Sequence, residues 1–149
     1  MSVTQRLRAL GAHALAAGRP SRIEIVIGGS ATRIATLSRA TLRMGTFRPP
    51  AEPAPLVPAP HTLVLATLDE GVELRLVGLP LVPAYAPLWP LAMASATTVV
   101  RLDAAVPRLF DETCALLGMF PVEAEALVPG FSEEDEEHVA QLVIAALTR

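Results

Sequence analysis

The 149-residue chain contains no lysine and no asparagine; all 12 of its basic residues are arginine. Without an ε-amine there is no Schiff-base nucleophile and no phosphate-binding ammonium, and without asparagine one common reader of base edges is gone. Cysteine is almost absent. Cys114 alone excludes an internal disulfide and a Cys-rich zinc centre, and its apolar helical surroundings predict a buried, inert thiol. His13, His61 and His138 are scattered with no metal-ligand spacing, so no metal site is expected. Charged residues make up only 18% and the net charge is −3, with no stretch that clusters arginine and aromatics. Nucleic acid is therefore a poor candidate partner. No segment approaches the length of a membrane span. The short Ala-rich run after Arg8 is interrupted by His13 and does not read as a signal peptide, so the cytoplasm is the expected location.

Hydrophobic residues reach 52%, which predicts a folded chain of one domain. That content exceeds what one core needs and favours a partner or a self-association face, so a homo-oligomer is an expected state. Residues 1–20 read as a helical extension, with Val3, Leu7, Leu10 and Ala14 along one side of 3–17 and Gly18 and Pro20 as its stop. The α/β domain then spans 21–149. Residues 22–27 form a β-branched strand ending in Gly28-Gly29-Ser30; a helix over 31–42 or a Gly-Gly hairpin follows. Residues 48–60 hold six prolines and predict an extended loop, either a linker or a recognition segment. Residues 61–68 and 72–77 flank Asp69-Glu70-Gly71 as an antiparallel hairpin. A proline-punctuated loop over 78–90 leads to a short helical piece at 91–95 and a strand over 97–102. A helix over 103–117 presents Val106, Leu109, Phe110, Thr113, Leu116 and Leu117, and residues 121–128 read as a last strand. Ser132 is the expected cap of a final helix whose stripe is Val139, Leu142, Val143, Ala146 and Leu147. The order predicts a three-layer α/β fold with a mostly parallel five-stranded sheet and one antiparallel edge strand.

That order, with Ile23 to Thr36 where a phosphate-binding loop would lie and Val72 to Pro80 followed by Leu88-Trp89, resembles the small Ras-like GTPases. The stretch from Val72 to Pro80, with Leu88-Trp89 after it, looks like the third strand and switch II of the bacterial gliding-motility type. The resemblance covers roughly residues 22–128 and implies their fold without its last strand. It also implies a protein partner, a roadblock-type dimer, within a polarity or motility complex. The departures remove the chemistry. A phosphate loop needs Gly-x4-Gly-Lys-Ser/Thr so that backbone N–H groups, a cation and a metal-holding hydroxyl converge on the phosphates. Counted from Gly28 through Gly29 and Ser30, the second glycine is replaced by Arg33, the lysine by Ile34 and the hydroxyl by Ala35. No Asn-Lys-x-Asp guanine motif can exist in this chain. Phosphoryl transfer depends on positioning and charge stabilisation, and both are missing.

The expectation is therefore a pseudo-GTPase: no catalytic residues, no cofactor, and a constitutive scaffold role. Gly28-Gly29-Ser30 could retain an anion at a helix N-terminus or form an ordinary strand-to-helix turn, and the turn is the favoured reading. Leu79, Leu81, Val82, Tyr85, Leu88 and Trp89 are the candidate protein-binding face, with Trp89 the one most suited to the core. The acidic run 133–137 is explained by the dipole of the final helix. A small α/β ligand-binding domain or enzyme, with an apolar pocket under the proline-rich loops, is the alternative.

Overall fold

The computed structural model describes residues 22–49, 62–67, 73–103 and 107–148, together with Gln5; of 62–67 it describes the backbone. The helical extension, most of the proline-rich loop and the hairpin turn at 69–71 lie outside the described residues. The chain is an α/β protein built on parallel strands. In chain order the elements are β1 (Arg22–Gly29), α1 (Ala31–Arg43), β2 (Thr62–Thr67) and β3 (Glu73–Pro80). A 3-10 helix (Pro83–Leu88), α2 (Trp89–Met93), β4 (Thr98–Arg101) and α3 (Arg108–Leu116) follow, then β5 (Val122–Glu123), α4 (Ala124–Leu127) and α5 (Glu136–Leu147). The strands lie in the order β2-β3-β1-β4-β5. β1, β3, β4 and β5 are parallel, and the β2 backbone pairs antiparallel with β3.

β1 is central because its sequence suits burial on both faces. Every residue from Ile23 to Gly29 is buried. Ile23, Ile25 and Ile27 face a core shared with α1 and α5, through Ile34, Leu37, Val139, Leu142 and Val143. Val26 faces the opposite core, where Val77 and Leu79 of β3 meet Trp89, Met93, Phe110 and Cys114. The period of two along the strand thus feeds two helical layers, one on each face. Trp89 and Phe110 pack edge to face with centroids 6.4 Å apart.

Of the two readings after Gly29 the helix forms, because Ser30 accepts a hydrogen bond from the Arg33 N–H and Ile34, Leu37, Ala40 and Thr41 recur on a buried face. Other sequence expectations are corrected. Residues 83–88 are a 3-10 helix, for which Pro83 at the first position is pre-set. The expected strand over 121–128 is only Val122–Glu123; Ala124 turns inward, 1% exposed, and starts α4. Asp135, not Ser132, caps the last helix, accepting from the N–H groups of Glu137 and His138. On α3, Phe110 and Thr113 are buried with Cys114, whereas Leu109, Leu116 and Leu117 point outward.

Candidate functional site

In an open parallel sheet, ligands bind beyond the carboxyl ends of the strands, where neighbouring connections part to opposite faces. Here that place is the end of β1, flanked by β3 and β4. β1 passes into α1 through Ser30 alone. A single connecting residue leaves no loop whose N–H groups could wrap a polyphosphate. Gly28 and Gly29 are strand residues whose missing side chains admit close neighbours: a Cβ on Gly28 would stand 3.1 Å from Phe110, and one on Gly29 would stand 3.0 Å from Leu102.

The polar groups that remain here satisfy one another. The Ser30 N–H, at the positive end of α1, donates to Asp103 Oδ2 at 3.1 Å. Arg33 Nη1 reaches Asp103 Oδ1 at 2.6 Å and the Leu102 carbonyl at 2.9 Å. Arg33 Nε and Nη2 grip Glu133 in a two-point fork, each at 2.9 Å. Hydrogen bonding to Glu133, ahead of the opposing cost of burial, pushes the Arg33 pKa up. The same bonds hold the Glu133 carboxyl below its usual range, against the opposing effect of burial. One guanidinium therefore ties α1 to the β4 end and to the stretch before α5. The carboxylate of Asp103 stands where an anionic ligand would meet the helix.

Of the positions that the sequence reading set against a phosphate loop, Gly28, Gly29, Ser30 and Arg33 gather at this site. Ile34 is turned into the core at 1% exposure and Ala35 is exposed on α1. The candidate binding face does not hold together as a surface. Leu79, Leu81 and Trp89 are core residues, while Tyr85 is exposed and Val82 and Leu88 are half-buried. Trp89 fills the space over Phe110 and the 3-10 helix turns Tyr85 outward.

Asp103 and Glu133 are the site residues that sequence reasoning missed. A signal existed: Arg33 has no acid three or four residues away on its helix, so a guanidinium next to the core needs a distant partner. Among the described residues no cluster of three or more His, Cys, Asp or Glu could hold a metal ion. No helix among them is long and apolar enough to cross a membrane. No protein-family model and no curated protein matches the chain.

Proposed function

We propose that this chain is a non-catalytic protein-binding scaffold with a small-GTPase-like fold, a pseudo-GTPase whose nucleotide position is filled by its own side chains. One observation carries the reading. Arg33, at the place of the second phosphate-loop glycine, is held by Glu133 and Asp103 across the end of β1. The charge a nucleotide would supply is already supplied from within the chain. Two further features support it. The strand order, with β2 antiparallel at the edge, is the small-GTPase order short of its last strand. The one-residue turn at Ser30 lacks the N–H cradle that phosphates require.

With no exchangeable ligand to reorder its loops, such a domain holds one conformation and binds its partner constitutively. The resemblance makes a roadblock-type dimer the partner class and a bacterial polarity or motility complex, in the cytoplasm, its setting. Tyr85, with the exposed parts of Val82 and Leu88, is what remains of the switch-like face for that contact.

Thermal unfolding with and without ligand tests the reading. A ligand that binds only the native state raises its stability in proportion to the logarithm of concentration over Kd. Millimolar GTP or GDP with Mg²⁺ should leave the melting temperature unchanged. A rise of several degrees, or guanine nucleotide released on denaturing the purified protein, overturns the proposal.

A further inference from the structure

Glu24 is the only acid in β1 and is 5% exposed. Alternation puts its side chain on the Val26 face of the sheet, together with Arg22. The register sets Arg75 directly opposite Glu24 and Glu73 opposite Arg22, so four charges alternate in sign across two strands. They are poorly matched. Glu24 Oε2 is buried with no hydrogen-bond partner, and among the described residues no cation makes an ion pair with it. Both arginines turn to Glu73 Oε1 instead, Arg22 Nε at 3.4 Å and Arg75 Nη2 at 3.6 Å, and neither contact is a hydrogen bond. Arg75 Nε is itself buried without an acceptor. The backbone leaves Glu24 no retreat. Its N–H donates to Thr97 Oγ1 at 3.2 Å, and its carbonyl accepts from the Thr97 N–H at 2.7 Å.

We propose that Glu24 and Arg75 form a proton-operated switch at the base of β1. With Glu24 protonated, Arg75 leans towards Glu73; when Glu24 gives its proton to solvent, the Arg75 guanidinium crosses to it and leaves Glu73 to Arg22. Burial favours the first state, because an ionised carboxylate in the interior is tolerated only when it is paired and hydrogen-bonded. Burial accordingly pushes the Glu24 carboxyl up, ahead of the opposing pull of Arg75 and Arg22, and Glu73 adds to the rise. The register favours the second state. The guanidinium starts across from the acid and gives up no hydrogen bond to Glu73 on leaving it. Among the described residues no other charge acts on Glu24. β4 offers Thr97 beside it, and α2, in the layer over this face, has no ionisable side chain. Residues 62–67, which pair with β3, carry none either. Asp111 and Arg108 of α3 are engaged by Arg101 and Glu112. The switch moves side chains without moving strands, and it does not depend on the pseudo-GTPase reading.

Carboxyl and guanidinium NMR of the full-length protein between pH 4 and pH 9 tests it. The Glu24 carboxyl resonance should titrate above the ordinary carboxylate value, about 4.3, and the Arg75 Nε–H resonance should shift with the same midpoint. Glu24→Gln should abolish that Arg75 shift. Glu73→Gln removes both the competing partner and a like charge, so it should lower the Glu24 midpoint. Stability follows the same sign. Because the folded value is raised, the contribution of Glu24 is full below the unfolded carboxylate value and is lost as pH rises through the folded one. The melting temperature of Glu24→Gln relative to the native chain should therefore climb between pH 4 and pH 8. Four results overturn the proposal: a Glu24 midpoint at or below the ordinary value, an Arg75 resonance that does not follow it, a midpoint not lowered by Glu73→Gln, or melting temperatures of native and Glu24→Gln protein that run parallel over this range.

Discussion

Arg33 shows how one side chain can gather two acids from distant parts of the chain. Its fork on Glu133 and its third contact on Asp103 are partly sheltered, with side-chain exposures of 28%, 18% and 30%. Screening at that exposure limits what the cluster contributes. Removing the guanidinium as Arg33→Met should cost about 1–2 kcal/mol, largely because Glu133 loses its fork while facing Asp103, which keeps only the Ser30 N–H. Arg33→Lys should recover only part of the loss, since an ammonium cannot make the two-point fork. The pH dependence has a definite sign. The folded pKa of Glu133 is depressed, so its contribution is fully present above the unfolded carboxylate value, about 4.3. It is lost as pH falls from there through the folded value. Urea unfolding of wild type and Arg33→Met between pH 7 and pH 3 should show the stability difference shrinking at the acid end.

Among the elements, those with a strong period and a local stop signal were legible in the sequence. β1, α1, β3 and α5 fall where β-branched runs or apolar stripes place them. The missed boundaries have physical causes. Glu123 and Glu125 alternate as a strand would, yet Ala124 and Val128 are drawn into the core with Leu127 packed against it, and one helical turn achieves this. Ser132 and Asp135 are both acceptable caps by residue type. Asp135 wins because its carboxylate reaches two N–H groups, Glu137 at 2.9 Å and His138 at 3.3 Å. The stretch it delimits then leaves Glu133 free to meet Arg33. Asp135→Ala should lower stability by about 1 kcal/mol, measured by chemical denaturation, while Ser132→Ala should be near neutral. On α3 the stripe was misassigned because leucine outside and threonine inside reverse the usual preference. Thr113 manages burial by donating its hydroxyl to the Leu109 carbonyl at 2.8 Å.

At the scale of the whole molecule, two cores on opposite faces of one sheet make the fold a single cooperative unit. Cys114 reports on it. The thiol is 1% exposed, and burial, with Asp111 adding to it, pushes its pKa up to about 11. Native protein at pH 8 should react with a disulfide reagent far more slowly than the unfolded chain, at a rate set by opening of the core rather than by reagent concentration. The candidate site was half legible at this scale. The missing lysine and hydroxyl were plain in the sequence. The two acids that close the site were not, because Asp103 and Glu133 meet Arg33 only after the chain has crossed the sheet and returned.

The central place of β1 also governs how the molecule is made. Its neighbours begin at Glu73 on one side and Thr98 on the other, far later in the chain. As the polypeptide leaves the ribosome, this strand, buried from Ile23 to Gly29 once folded, emerges before either neighbour and stays unpaired on both edges until β3 and then β4 arrive. Nascent chains stalled before Thr98 are therefore the species most exposed to chaperones and to aggregation.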